Sequence, residues 1–236
     1  MYPGDTLFRA ALWRAAGGAV FAGPFRGLRL APRPFLPHLI GCYERELHPV
    51  LERLCAQPWA RIVNVGGGNG FYIAGLGRRV PGAALVVFEL TAEARAVIAA
   101  TVARNGLTAR TTILGAATPE NLEPALRAAG PTLVVMDVEG VELDLTDPAR
   151  VPSLAATTML IETHDVLRAG CRDAIVARYG ATHRITEIAT APRTLDDFPA
   201  ALAPRVRAWM PARALAAVQE WRGGPQVWLV LEPRGA

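Results

Sequence analysis

The stretch RIVNVGGGNGFYIAGLG, residues 61–77, joins an apolar run to a cluster of glycines. Four of the glycines lie between Gly66 and Gly70. Because glycine inside a strand or helix costs about 0.5–1 kcal/mol relative to alanine, a regular element gains nothing from them. A turn without side chains lets the backbone approach a ligand closely, and a following helix offers free N–H groups. We therefore predict a strand at 61–65, a ligand-binding turn and a helix.

Short aliphatic or β-branched runs recur after this stretch and predict buried parallel strands. With the first strand, they occupy residues 61–65, 83–90, 109–114, 131–137 and 156–163. Segments rich in Ala, Leu and Arg lie between them and predict helices at 91–105, 118–129, 141–151 and 167–179. This alternation is typical of a doubly wound α/β sheet.

Two further runs, at 183–190 and 226–232, complete a predicted seven-stranded sheet. We predict a Rossmann-like α/β fold, mostly parallel, whose antiparallel last strand pairs at the sheet edge. Residues 1–58 are expected to form a helical N-terminal extension or lid. Residues 59–236 form the ligand-binding domain, with a Pro-rich insert at about 191–224.

Composition indicates a folded chain, since 51% of the 236 residues are apolar and only 19% are charged. No apolar run reaches the roughly 18 residues that a membrane span needs, so we expect no membrane partner. The three scattered cysteines predict a reducing, cytoplasmic location. All 25 basic residues are arginine, without a dense run, so we expect no nucleic-acid partner.

The spacing of the glycines bears on which ligand the turn accepts. The dinucleotide fingerprint has a third small residue after two spacers, for close helix packing. Counted from Gly66 and Gly68, that position is Phe71, which disfavours a nicotinamide cofactor. The alternating series Gly66, Gly68, Gly70 fits better, with Asn64 two residues before it.

Acidic and imidazole side chains follow three of the predicted strands. Glu89 ends the second strand, about 20 residues after the glycines, where it can accept hydrogen bonds from ribose hydroxyls or begin the next helix. Asp137 ends the fourth strand, with Glu139 and Glu142 close behind, and Glu162, His164 and Asp165 lie at the end of the fifth. Because parallel strands end at one edge of the sheet, we expect these groups in one cleft.

Together, NVGGGNG, FEL, VVMDVEGVE and QVWLVLE resemble class I S-adenosylmethionine (AdoMet) dependent methyltransferases. The closer resemblance is to the FkbM-type enzymes, whose fourth strand ends in Asp-x-Glu-Gly-x-Glu. Here those positions are Asp137, Glu139, Gly140 and Glu142, and ARNGL at 103–107 and Glu-x-His at 162–164 are also similar. The resemblance covers about residues 60–190. Asn64 departs from the family pattern, because an acidic residue usually occupies this position. The charge interaction of that acidic residue with the AdoMet amino group would be missing here.

The resemblance implies roles for individual residues. Gly66, Gly68 and Gly70 would pass under the methionine part of AdoMet, and Glu89 would hold the ribose. The implied cofactor-binding positions are Asn64, Gly66, Gly68, Gly70, Glu89, Leu90, Ala116 and Asp137. Ala116 would lie near the adenine, and Asp137 beside the transferring methyl group.

Catalysis would then fall to Asp137, Glu162 and His164. Methyl transfer needs alignment of donor and acceptor and removal of the acceptor's proton, and the pKa range of histidine suits that base. His164 is equally well explained as a hydrogen-bonded histidine at a strand end. Asp137, Glu139, Glu162 and His164 also form a candidate Mg²⁺ site, which would orient an acceptor hydroxyl. Carboxylates that cap the next helix are the simpler account.

The favoured function is AdoMet-dependent O-methylation of a small molecule, such as a sugar or a secondary metabolite. Three alternatives stay open: an enzyme of the same fold that releases methylthioadenosine from AdoMet, a nicotinamide-dependent oxidoreductase, and a non-catalytic nucleotide-binding or partner-binding module. The helical extension suits either a lid or the contact of a homodimer.

Overall fold

Seven strands form one mixed sheet in the computed structural model, which describes residues 3–127, 130–224 and 226–234. The strands are β1 (Arg61–Val65), β2 (Ala84–Phe88), β3 (Thr111–Leu114), β4 (Thr132–Met136), β5 (Thr158–Thr163), β6 (His183–Ala189) and β7 (Val227–Pro233). Their order across the sheet is β3-β2-β1-β4-β5-β7-β6. Strands β1 to β5 pair in parallel, and β7 runs antiparallel to both of its neighbours. The predicted fold class is confirmed.

One detail of the predicted topology is wrong, because β7 does not lie at the edge. It is inserted between β5 and β6, where its residues 228–231 are buried. Strand β6 takes the edge instead, and most of its side chains are at least partly exposed. The continuous apolar run of β7 suits an interior position, whereas the mixed composition of β6 tolerates water on its outer side.

Ten helices connect or flank the strands in the described part of the chain. They are α1 (Pro3–Ala15), α2 (Leu36–Ile40), α3 (His48–Cys55), α4 (Phe71–Arg79), α5 (Ala92–Arg104), α6 (Pro119–Leu126), α7 (Glu142–Leu145), α8 (Cys171–Tyr179), α9 (Pro204–Trp209) and α10 (Pro211–Val218). The end of the helix predicted over 118–129 lies outside the described residues. The start of the predicted extension 1–58 and the end of the predicted domain 59–236 also lie outside them. The helix predicted over 141–151 is shorter in the structure, because α7 ends at Leu145, three residues before Pro148, which cannot continue a helix.

Helices cover both faces of the sheet. Apolar residues of α3, α4 and α5 form one buried cluster with the first face, and residues of α6, α7 and α8 form a second cluster with the other. A third cluster joins α1 and α2 to the segment 198–218. The N-terminal residues and the late insert therefore share a small core of their own, beside the sheet. No helix among the described residues is long and apolar enough to span a membrane.

We predict that Gly75→Ala destabilises the protein, although alanine favours helix by about 1 kcal/mol. A Cβ at this position of α4 would lie 2.5 Å from the ring of Phe25, which is itself buried in the core. We expect a loss of about 1–3 kcal/mol in the free energy of unfolding, measured with urea.

The matched control is Gly82→Ala, because a Cβ there meets nothing within 4 Å. We expect it to stay within about 0.5 kcal/mol of the parent protein. A Gly75→Ala protein as stable as the Gly82→Ala protein would contradict the prediction, because the contact with the ring of Phe25 would then cost no more than alanine gains in helix propensity.

Candidate active site

The glycine turn follows β1 directly and leads into α4. Gly66, Gly68 and Gly70 have positive φ angles of 82°, 52° and 83°. All three positions favour glycine, which adopts such angles without strain because it has no Cβ. At Gly66 the need is also steric, because a Cβ would lie 1.7 Å from the carbonyl oxygen of Asp137. Around Gly68, by contrast, a Cβ would meet nothing within 4 Å, and this glycine faces open space. The turn thus brings bare backbone next to the end of β4.

Most donors of the turn are already used within the protein. The N–H groups of Gly66 and Gly67 both donate to the carbonyl oxygen of Phe88 at 3.0 Å, and that of Gly70 donates to Gly67 at 2.8 Å. The N–H of Gly68 donates to the carboxylate of Glu89 at 2.9 Å. These four donors are therefore not free to cradle a phosphate group.

Asn64 lies beneath this turn and is buried. Its Nδ2 atom donates to the carbonyl oxygens of Gly66 and Val135, at 3.3 Å each. The amide thus ties the turn to β4 from within the sheet. An ionised acidic side chain at this position has no N–H group and could not donate these two hydrogen bonds.

Three further candidate residues lie along the same edge of the sheet. Glu89 follows β2, where one oxygen accepts from Gly68 and the other from the N–H of Thr91 at 3.1 Å. Leu90 is exposed, and so is Ala116, which follows β3. One carboxylate and two exposed small or apolar side chains thus follow β2 and β3 at the edge of the sheet where the glycine turn follows β1.

An acidic cluster with one imidazole occupies the ends of β4 and β5. Single ligand atoms of Asp137, Glu162 and His164 all lie within 4.8 Å of one another. The Nε2 atom of His164 is 3.6 Å from Asp137, 3.8 Å from Glu162 and 3.5 Å from the exposed Glu139. The structure therefore brings together the four residues that the sequence assigned to catalysis or to a metal.

Glu142 fixes the ring of His164. This glutamate begins α7, is fully buried, and lies 2.6 Å from Nδ1 of the imidazole. The opposite ring atom, Nε2, is buried and has no hydrogen-bond partner in the described part of the chain. With Nδ1–H donating to Glu142, the Nε2 lone pair would point at carboxylate oxygens, which is unfavourable unless a cation or a proton lies there.

The surroundings shift the pKa values of these groups. Burial raises the pKa of Asp137, and the charge of Glu162 raises it further. Burial also raises the pKa of Glu162 to about 7, assisted by Glu44 and opposed by Arg222. For His164, burial lowers the pKa, but the hydrogen bond and charge of Glu142 outweigh it and the net shift is upward. Protons therefore leave this cluster near or above neutral pH.

Arg222 closes the cluster from the side of the late insert. Its guanidinium bonds to Glu162, to Glu44 at 2.6 Å and to Glu220 at 2.9 Å, and it lies 5.7 Å from the ring of Tyr43. All three carboxylates are nearly inaccessible to solvent. One arginine thus joins the N-terminal extension, β5 and the insert.

A second polar contact supports the glycine turn. Nδ2 of Asn69 lies 2.9 Å from Nδ1 of His38, whose ring stacks on Phe71 with centroids 4.1 Å apart. Burial lowers the pKa of His38 to about 3, so its ring is neutral and accepts this hydrogen bond. The α2 segment is thereby attached to the start of α4.

The sequence placed Glu142 in this cleft but did not identify its contact with His164, although it is the last acidic residue of DVEGVE and its helix begins beside His164. Arg222 and His38 were not identified as part of this region. They contact the site through segments far away in sequence, and no local pattern marks them.

Comparison with known proteins shows the fold. No protein-family model matches the chain, and no curated protein matches its sequence. Among solved structures, the chain is similar to the O-methyltransferase TomG from Streptomyces achromogenes, involved in tomaymycin synthesis and solved with SAM (TM-score 0.52, 14% identity, 97% of this chain and 96% of that one). It is also similar to the O-methyltransferase from Bacillus cereus solved with SAH (TM-score 0.51, 11% identity, 98% and 93%). The chain has the fold of class I methyltransferases, as the sequence motifs predicted.

We predict that Arg222→Met destabilises the protein by about 3 kcal/mol at neutral pH, because a buried ion network loses its cation. Burial holds the pKa of Glu44 at about 8 even beside Arg222, against 4.5 for an exposed glutamate. Between those values the folded protein keeps a proton that the unfolded chain releases, so stability falls as the pH rises. Arg222 ends this fall near pH 8 by stabilising the ionised carboxylate.

Without Arg222 the stability of the protein continues to fall as the pH rises. The loss of stability caused by Arg222→Met therefore grows above about pH 8. Urea unfolding at pH 6 and pH 9 measures the difference. The control is Arg168→Met, which removes a partly exposed arginine paired with the exposed Asp144 at 2.8 Å and should leave stability nearly unchanged at both pH values. Equal costs for Arg222→Met at the two pH values would contradict the assignment.

Proposed function

We propose that the protein is an AdoMet-dependent methyltransferase that O-methylates a small molecule, with its site residues used as in the FkbM-type enzymes. One observation carries the proposal. The glycine turn, Glu89 and the Asp137 cluster share the carboxyl edge of the sheet, and Gly66 lies against the backbone of Asp137. A ligand resting on the turn would thus present its reactive centre to Asp137. The two similar structures named above are of O-methyltransferases solved with SAM or SAH.

The occupied donors of the turn favour this function over dinucleotide binding. A pyrophosphate needs free N–H groups at the turn and the helix N-terminus, whereas four N–H groups here donate to protein oxygens. AdoMet carries no phosphate and needs a bare backbone surface beside a carboxylate for its ribose. Glu89, Leu90 and Ala116 supply a carboxylate and an open surface of this kind.

The proton of the acceptor hydroxyl has a nearby group to receive it. In methyl transfer the acceptor oxygen attacks the methyl carbon, the sulfonium leaves as a thioether, and the hydroxyl proton must depart. The pKa of Glu162 is raised to about 7, which suits a base at neutral pH. Asp137 and His164 would pass or share this proton, with Glu142 holding the imidazole in place.

The N-terminal extension (1–58) and the insert (191–224) are proposed to form a lid over this edge. Support comes from their common apolar cluster and from Arg222, which bonds Glu44 of one segment and Glu162 of the sheet. A cytoplasmic location is proposed from the three cysteines, which are buried as free thiols.

Binding of AdoMet is the first test, by titration calorimetry with the purified protein. We expect binding of AdoMet and S-adenosylhomocysteine, and at least a tenfold loss of affinity in Glu89→Ala, because charge-assisted hydrogen bonds contribute about 1.5–3 kcal/mol. The matched control is Glu93→Ala, an exposed carboxylate one residue into α5.

Product analysis by mass spectrometry separates the alternatives. Methylthioadenosine above a protein-free background would replace methyl transfer by cleavage of the aminobutyl chain. Affinity for NAD(P) without affinity for AdoMet would indicate an oxidoreductase. AdoMet binding together with methyl transfer that survives both Asp137→Asn and His164→Ala would remove these residues from catalysis.

A divalent cation is the second proposal for this cluster, favoured by the unpartnered Nε2 of His164. Asp137, Glu139, Glu162 and His164 would hold it, and a metal-binding histidine commonly donates its other ring N–H to a carboxylate, as His164 does to Glu142. Carboxylates suit Mg²⁺ or Mn²⁺, whereas the imidazole suits Zn²⁺. When bound, the ion would lower the pKa of an acceptor hydroxyl.

Equilibrium dialysis against Mn²⁺, followed by metal analysis, tests this proposal. We expect one ion per chain in the parent protein, and its loss in Asp137→Asn and in His164→Ala. Asp165→Asn is the control, since this exposed carboxylate lies one residue from His164 and outside the cluster. Absence of bound metal in the parent protein would contradict this proposal and indicate that Nε2 of His164 carries a proton instead.

A further inference from the structure

A groove of about 1060 Å³ lies outside the region of the acidic cluster. One wall is α1 with the segment 32–39, and the other is α10 with Trp221 and the end of α5. We call it the arginine groove, after Arg9, Arg33, Arg104 and Arg213, which line it.

The charge of this groove is of one sign. Its lining contains those four arginines and no aspartate or glutamate. Among the described side chains, none of the four forms an ion pair, whereas Arg193, Arg207 and Arg222 in the nearby insert all pair with carboxylates. A concave surface with one sign of charge concentrates its potential and attracts ions of the other sign.

The arginines also keep most of their donors available. Arg9 donates to the carbonyl oxygen of Pro34 at 2.6 Å, and the guanidinium of Arg213 lies 5.9 Å from the ring centroid of Phe8. Arg33 and Arg104 are exposed and make no side-chain hydrogen bond within the described part of the chain. Planar guanidinium groups of this kind suit carboxylate, sulfonate or phosphate oxygens.

Apolar rings alternate with these charges. Phe8 and Trp13 line the α1 side, and Trp221, which is 76% exposed, lines the other. Trp221 has a φ of 57° and Arg33 a φ of 59°, so two non-glycine residues of this groove adopt the left-handed conformation. Such strain costs of order 1 kcal/mol or more and recurs where binding sites hold a side chain in place.

We propose that the arginine groove binds a soluble amphipathic anion, with an aromatic or apolar body against Phe8, Trp13 and Trp221 and an acidic group among the arginines. The volume accommodates a ligand of drug-like size, since ordinary ligand pockets measure about 300–1,000 Å³. This site is separate from the carboxylate cluster and does not depend on the proposed methyl transfer.

The test uses two fluorescent probes, 1-anilinonaphthalene-8-sulfonate and its neutral analogue N-phenyl-1-naphthylamine. We expect one sulfonate probe per chain, with an affinity that falls as salt is added. The variant Arg104→Glu with Arg213→Glu should lose at least about tenfold in affinity for the sulfonate and much less for the neutral probe. Trp221→Ala should weaken both probes.

The matched control is Arg14→Glu, an exposed reversal of the same charge on α1 but outside the groove. Circular dichroism and thermal unfolding check that each variant folds, and Arg33→Glu replaces the double variant if that one does not. Equal affinity of the parent and the charge-reversed proteins for the sulfonate overturns the proposal. So does binding at several sites, or binding to anionic lipid vesicles without binding of the soluble probe.

Discussion

The close approach of Gly66 to the carbonyl oxygen of Asp137 is the constraint on which this site depends. The N–H of Asp137 donates to the carbonyl oxygen of Val65 at 2.9 Å, so the chains leaving β1 and β4 are still held side by side where the glycine turn begins. Any side chain at Gly66 would occupy the space of that carbonyl group. The same approach sets the bare turn beside the backbone of Asp137, and Asn64 secures it with hydrogen bonds to the carbonyl oxygens of Gly66 in the turn and Val135 in β4.

The buried ionisable groups are the second organising feature, and removing their charges from water costs free energy. Glu44, Glu142, Glu162 and His164 are nearly inaccessible to water, and burial by itself raises the pKa of a carboxyl group. Each of these groups has a partner: Glu142 and His164 hold each other, and Arg222 holds Glu44 and Glu162. Networks of this kind are weak evidence for stability, since apolar side chains of equal volume often serve as well. They lie around the carboxyl ends of β4 and β5, where the proposed chemistry needs ionisable groups.

Much of the fold follows from the sequence, because aliphatic runs of strand length and the glycine turn are local signals. The meeting of Asp137, Glu162 and His164 also follows, since parallel strands end at one edge. Strand β7 was misplaced because apolar pattern indicates burial but not which strands become neighbours. Arg222 was missed for a related reason. Its partner Glu44 is 178 residues away in sequence, and a pair so far apart produces no periodic pattern that sequence analysis could detect. The cofactor residues and the acceptor stay predictions.

The position of β7 between β5 and β6 has a consequence for synthesis of the chain. Strands β1 to β5 can pair with one another as they leave the ribosome. Among the residues that the structure describes, however, the one strand that β6 pairs with is β7, which is made later. Until then β6 has no partner in the sheet, and charged side chains such as Arg184 and Glu187 on this strand discourage pairing with other molecules. Completion of the sheet is therefore a late event of biogenesis, and a ribosome that stops before residue 227 deprives the sheet of two strands.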